Sequence, residues 1–293
     1  MEAHLVDQDD ARGIPAGIMA RMETAPYQTL DDVVESFGAL ESQFRQRRDR
    51  RAIFLTLYGV VSAEMRARVA QRTFRDNDWV HRYAVAFANL YRQALENYES
   101  GRMAEVPKAW RLCFDAAARG TGLVLQDMFL GVNAHVNNDL PLALSLVKID
   151  PDRPQRYADH AAVNGVLGSV TERATQRIAA LYAPGIAALD DCAGQLDELM
   201  TLFSLNVARE SAWDAAVSLA NARNPFERDL SGKLIAGRAA VMARLLLSPS
   251  AQPALIAACR QLEQGCDVLT LVADARDAVH RDRTLGASPD AVG

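Results

Sequence analysis

An all-α fold, a single-domain multi-helix bundle around one buried, proline-kinked central helix, is what the chain predicts, and three observations carry that prediction. Apolar residues recur at the three- and four-residue spacing of amphipathic helices over most of the 293 residues, while strand-like alternation is almost absent. Gly and Pro gather in short breaks between the periodic runs, and no linker is long enough to separate domains. One run, from Leu123 to Val147, is apolar on nearly all sides, as a helix at the centre of a bundle must be.

Taken in order, the periodic runs place helices at 29–48, 50–72, 77–99, 106–118, 122–148, 156–182, 185–222, 228–247 and 251–281. The first opens on Thr29 with Asp32 three residues later, a pairing that caps a helix start. In the third, Trp79, Tyr83, Phe87 and Tyr91 recur every four residues and form a packing stripe. The breaks "ESGRMAEVP" (99–107), "KIDPDRP" (148–154), "APG" (183–185) and "LSPSAQP" (247–253) hold the Gly and Pro that end helices. Residues 1–25 read as a poorly ordered N-terminal segment, 26–283 as the all-α domain and 284–293 as a flexible tail.

Composition narrows the function classes. A net charge of −5, from 32 basic and 37 acidic residues, implies no broad basic face and argues against a nucleic-acid partner. The start, "MEAHLVDQDDARG", is acidic and lacks the apolar core of a secretory signal, and no apolar run reaches the roughly 18 residues of a membrane span. The expected address is the cytoplasm. Cys113, Cys192, Cys259 and Cys266 show no C-x-x-C spacing and read as buried, reduced thiols.

Within the central run, "LGVNAHVNNDLPLAL" (130–144) interrupts the apolar pattern with three asparagines, a histidine and an aspartate, and Pro141 follows. At about 100° per residue, Gln126, Asn133 and Asn137 fall within about 40° of one another. His135 and Asp139 form a second i,i+4 pair on the opposite side, with Asn138 between the two groups. Each buried polar group needs a partner or costs a few kcal/mol. Pro141 has no N–H to give the Asn137 carbonyl, so the helix is expected to kink there, or to stop and restart with Asp139 as a cap. Such a break beside a His/Asp pair is a way to open a pocket inside a bundle.

An imidazole and a carboxylate one turn apart can ligate one divalent metal, zinc or magnesium, with His160, Asp159, His81 or Asp78 as further ligands. The same pair can act as a general base, Asp139 setting the tautomer of His135. The plain alternative is a structural hydrogen-bonded network. Elsewhere, "TLDDVVES" (29–36) places Asp31, Asp32 and Glu35 in a D-D-x-x-E pattern like the magnesium-binding carboxylates of class I terpene cyclases, although a capped helix start explains it as well. Asp76 or Asp78 reads as a cap for the third helix, and Asp78 can pair with His81. His160 and Asn164 share a helix face. Arg209 and Trp213, also at i,i+4, suggest an anion or carbonyl clamp with an aromatic wall; the alternative is an Arg–Asp ion pair beside a core tryptophan.

"FANLY" (87–91), "PKAWRLCF" (107–114), "GVNAHVNNDLPLAL" (131–144), "DHAAVNGVL" (159–167) and "ARESAWDAA" (208–216) occur in that order. Together they resemble a bacterial helical family of unknown function whose signature reads G-[MV]-N-A-H-[IV]-N-x-D-L-P. The resemblance covers about 50–220 and implies that Asn133, His135, Asn137, Asp139 and Pro141 belong to a family signature. Asn138 fills the variable position, and His160 stands where an aromatic residue is expected. "HVNNDLPL" (135–142) is also faintly similar to the H-x-x-x-D and Pro-Leu of zinc-dependent phospholipase C-type hydrolases, but no histidine follows the Pro-Leu here.

The resulting expectation is an enzyme acting on a small organic molecule, a hydrolase before a cyclase or lyase of specialised metabolism. His135 and Asp139 would be catalytic or metal-binding. Asn133, Asn137, Asn138, Gln126, Arg209 and Trp213 would hold substrate. A non-enzymatic ligand-binding or scaffold protein is the other reading.

Overall fold

The computed structural model describes residues 25–120, 122–168 and 204–248, with single positions between 257 and 269. Helix α1 (Leu30–Gln46) begins where the Thr29 hydroxyl accepts from the Asp32 amide at 3.1 Å and the Asp32 carboxylate accepts from the Thr29 amide at 2.9 Å, a complete capping box. Its buried face, Val33, Phe37, Leu40 and Phe44, lies against α2 (Arg51–Ala70). α3 (Asn77–Glu99) is capped by Asp76, which accepts from the Trp79 amide at 2.8 Å. α4 (Lys108–Arg119) ends at Gly120, whose φ of +63° only glycine adopts without strain.

The centre of the bundle is one continuous helical rod in three pieces. α5 (Val124–Asn133) runs into a π-helical segment, Ala134–Asp139, and then into α6 (Leu140–Val147). The capped restart expected at Pro141 does not form. Asp139 keeps helical backbone angles and makes no capping bond, and the helix absorbs the missing proline N–H by widening. The Leu140 amide reaches back five residues to the His135 carbonyl, the i→i+5 pattern of a π turn. All six π residues are buried.

α7 begins at 153, three residues before the expected start, and is described as far as 168. α8 (Leu205–Asn221) starts under the Ser204 hydroxyl. α9 (Pro225–Leu247) starts three residues earlier than expected, because Asn224 caps it and Pro225 fits its first turn. The rod is enclosed: α2, α4 and α9 pack on α5, α3 and α8 on α6, and α3, α4, α8 and α9 on the π segment. No strand occurs among the described residues, so the bundle is all-α as the periodicity predicts. Expectations for 1–24, 169–203, 284–293, most of 251–281, and Cys192, Cys259 and Cys266 fall outside the described residues; Cys113 is buried.

Gly131 sets how closely the rod approaches α2. A Cβ there would overlap the Phe54 ring. Alanine at 131 gains up to about 1 kcal/mol of helix propensity, but overpacking a buried contact costs about 1–3 kcal/mol or more. Gly131→Ala is expected to lower unfolding free energy by about 1–2 kcal/mol net in denaturant titration. Unchanged stability would mean that the α2 contact is loose.

Candidate functional site

The two polar groups of the central rod face opposite ways. Gln126, Asn133 and Asn137 all address α9. The Gln126 amide donates to the Leu246 carbonyl at 3.1 Å and its oxygen accepts from the Leu123 amide at 2.9 Å. Asn133 donates to the Ala239 carbonyl at 2.9 Å. Its own oxygen accepts from Asn137 at 2.9 Å, and the Asn137 oxygen accepts from Arg238 at 3.3 Å. The donors at 126 and 133 and the acceptors at 246 and 239 share a seven-residue, two-turn spacing, so the helices run antiparallel with matched contacts. Ala239, Ala240 and Ala243 keep the side chains between them small. Leu246 lies in the last turn of α9, where carbonyls lack helical partners, and Gln126 supplies one. Gln126 and Asn133 are thus structural ties. Asn137 also floors a groove of about 210 Å³ between α8 and α9, rimmed by Ser211, Ser218, Ser231 and Arg238.

His135 and Asp139 point the other way. His135 Nδ1 lies 3.1 Å from Asp139 Oδ2. That oxygen also accepts from the Trp110 indole N–H at 2.8 Å, and Oδ1 accepts from the Asn138 amide at 2.8 Å. A carboxylate that receives donors on both oxygens assigns the ring proton of His135 to Nδ1. Nε2, which carries the lone pair, is buried and makes no hydrogen bond among the described residues. Aromatic rings surround the imidazole: Phe87 stacks at 3.4 Å with planes 9° apart, and Tyr58 meets it edge-on at 4.3 Å. Phe54 and Trp110 stand beyond at 5.8 and 6.0 Å. Burial pushes the His135 pKa below its ordinary value; the Asp139 contact pulls the other way and does not overcome it.

His135 opens onto a chamber of about 60 Å³ lined by Phe54, Leu57, Tyr58, Phe87, Val132 and Arg209 among others. A second, of about 40 Å³, adjoins it and shares Tyr58, Val61, Phe87, Leu167 and Arg209. Arg209 is 1% exposed. The Arg–Asp ion pair that sequence allows does not form: among the described residues no carboxylate lies within 4 Å of this guanidinium. Its Nε donates to the Asn164 oxygen, and Nη2 approaches the His160 carbonyl at 3.1 Å, His160 Nδ1 at 3.4 Å and the Tyr83 hydroxyl at 3.5 Å. Burial, with Arg209 adding to it, drives the His160 pKa down to about 2. Trp213 is separate from both chambers; it packs on His160 and Tyr157, each at 5.2 Å.

The remaining candidates are committed elsewhere, and the further metal ligands do not join His135. Both Asp159 oxygens accept backbone amides, those of Arg75 and Asp76 at 2.8 and 2.9 Å, and so brace the start of α3. His81 Nε2 accepts from the Leu30 amide at 3.4 Å, at the start of α1, and Asp78 is exposed. Among the described residues no three His, Cys, Asp or Glu side chains are grouped to hold a metal ion. Both Asp139 oxygens already accept hydrogen bonds and aromatic rings flank His135, so among the described residues these two have no further ligand beside them. Asp32 caps α1, and Asp31 pairs at the surface with Arg66 at 3.1 Å. Sequence reasoning missed Trp110, Tyr58 and Phe54. They sit on other helices, and no local spacing ties them to 135 or 139; the aromatic stripe on α3 did mark Phe87.

A family model matches residues 30–249, from the first residue of α1 past the end of α9. The chain belongs to the family of unknown function DUF5995. No curated protein and no solved structure matches it. The matched range of this DUF5995 chain contains every residue of both chambers and of the dyad. No helix among the described residues is long and apolar enough to cross a membrane.

The pH dependence of this DUF5995 protein follows from its buried imidazoles. In the unfolded chain His160 titrates near its ordinary 6.5, whereas in the fold it stays neutral down to about 2. Its folded pKa is depressed, so its contribution to stability is full above pH 6.5 and is lost as pH falls. Relative to His160→Gln, the wild type should lose about 1.4 kcal/mol of stability per pH unit between roughly pH 6 and 4. Denaturant unfolding across that range checks it; a pH-independent difference would contradict a neutral buried His160.

Proposed function

We propose that the protein is a small-molecule hydrolase in which His135, oriented by Asp139, is the general base. The observation that carries this reading is the His135 Nε2 lone pair. It is buried, makes no hydrogen bond among the described residues, and belongs to a ring that lines an apolar chamber while the other nitrogen is locked onto Asp139. An unmade buried hydrogen bond costs about 1–3 kcal/mol; His160 Nε2 is also buried without one, and what sets His135 apart is that its ring lines the chamber and its other nitrogen is held by a carboxylate.

In the reaction, Nε2 takes a proton from a water molecule whose oxygen attacks the substrate's acyl carbon. The imidazolium holds its Nδ1–H on Asp139 and returns the Nε2 proton to the departing alkoxide, leaving a carboxylic acid and an alcohol. Trp110 and Asn138 fix the Asp139 carboxylate, so the dyad is ordered before substrate arrives. Burial keeps His135 in the neutral, proton-accepting form at pH 7. Nothing routes through a metal. The cyclase alternative loses its diphosphate-binding motif, since Asp32 is the cap of α1 and Asp31 an exposed ion-pair partner.

The test is acid release from small alkyl esters, methyl acetate through ethyl butyrate, followed by pH-stat. Wild-type rates are expected to exceed those of His135→Gln by about 10²–10⁴. Asp139→Asn would place an amide donor against Nδ1, favour the wrong tautomer and reduce the rate comparably. Equal rates in wild type and His135→Gln, or no acid release by the wild type, would contradict the hydrolase reading.

A further inference from the structure

Arg209 poses a problem that the hydrolytic machinery does not solve. A guanidinium 1% exposed normally sits against a carboxylate, because a buried unpaired charge costs several kcal/mol. Among the described residues every group that it touches is neutral: Asn164, the Tyr83 hydroxyl, the backbone carbonyl of His160, and an imidazole held far below its ordinary pKa. Its Nη1 makes no hydrogen bond among the described residues, and the side chain lines both chambers. Tyr58, the other polar side chain common to both, has a hydroxyl likewise without a hydrogen bond among the described residues.

We infer that Arg209 is the receiving site for a short-chain carboxylate, seated across the two chambers with one oxygen on Nη1 and its alkyl tail among Leu57, Val61 and Val132. The inference rests on the chamber being the substrate site, and it names the substrate class as short aliphatic acyl compounds. Three features select that ligand. One positive charge without a counter-charge among the described residues matches a monoanion, whereas a dianionic phosphate would leave one negative charge buried. The lining beyond Arg209, His135, Tyr58, Tyr83 and Ser62 is hydrocarbon and aromatic, and the Ser62 hydroxyl is already engaged with the Tyr58 carbonyl. The chambers are small, about 60 and 40 Å³, which suits a short chain better than a bulky one.

The experiment titrates the full-length protein with acetate, propionate and butyrate, with the neutral isosteres acetamide and propionamide, and with phosphate and sulfate. Calorimetry is read beside the NMR signals of the arginine side chains. Saturable carboxylate binding is expected, with the amides at least 10-fold weaker, phosphate and sulfate weaker than propionate, and loss of binding in Arg209→Gln. Propionate and propionamide binding equally, phosphate binding as well as propionate, or no carboxylate binding would each overturn the inference. Should Arg209→Gln fail to fold, the carboxylate–amide comparison on the wild type still decides. His135→Gln separates the two claims. If carboxylates bind it normally while ester hydrolysis is lost, both stand; if they bind and hydrolysis persists, the anion site stands and the general base does not.

Discussion

An imidazole and a carboxylate can be carried into an apolar bundle only if their hydrogen bonds go with them, and the interior of this protein is arranged around that requirement. Asp139 is satisfied three ways, by His135, by Trp110 from α4 and by its neighbour Asn138. The Trp110 bond joins α4 to the central rod at the depth where aromatic rings from α2 and α3 close over the imidazole. Removing either partner would leave a buried charge or dipole unpaired, a loss of about 1–3 kcal/mol or more. The dyad is therefore a constraint on the packing of α2, α3 and α4 as well as a chemical group.

Against that full satisfaction, two groups face the chamber with capacity to spare: Nε2 of His135, one of several buried polar atoms without a partner among the described residues, His160 Nε2 included, and the guanidinium of Arg209, without a counter-charge there. Both face the same small cavity. The contrast matters because the opposite face of the rod shows what the chain does with polar groups whose task is to hold helices together. There, Gln126 and Asn133 reach matched carbonyls on α9 two turns apart. On that face Gln126 and Asn133 are consumed as ties; at the chamber His135 and Arg209 are left with capacity.

The helices themselves were readable because apolar spacing and capping residues act locally. Thr29 with Asp32 and Asp76 before Trp79 mark helix starts that the structure places where expected. The division of 126, 133 and 137 from 135 and 139 was also legible, since angular position along a buried helix decides which neighbour a side chain meets. The response to Pro141 was not. A restart and a π turn both accommodate a missing N–H, and the choice depends on the helices packed around 134–139. Trp110, Tyr58 and Phe54 lie far from 135 in sequence, so their convergence is tertiary information. The further metal ligands were misplaced for a related reason: Asp159 and His81 carry the right atoms, but backbone amides elsewhere already hold them.

The claim on which the account turns is that His135 is a neutral base with a free lone pair at Nε2. Its ring nitrogens, observed by ¹⁵N-detected long-range correlation on uniformly labelled protein across the pH range of the folded state, report it directly. The expected result is a proton on Nδ1, none on Nε2 at pH 7, and a midpoint below the ordinary 6.5. A proton resident on Nε2 at pH 7, in either the imidazolium or the other neutral tautomer, would contradict it.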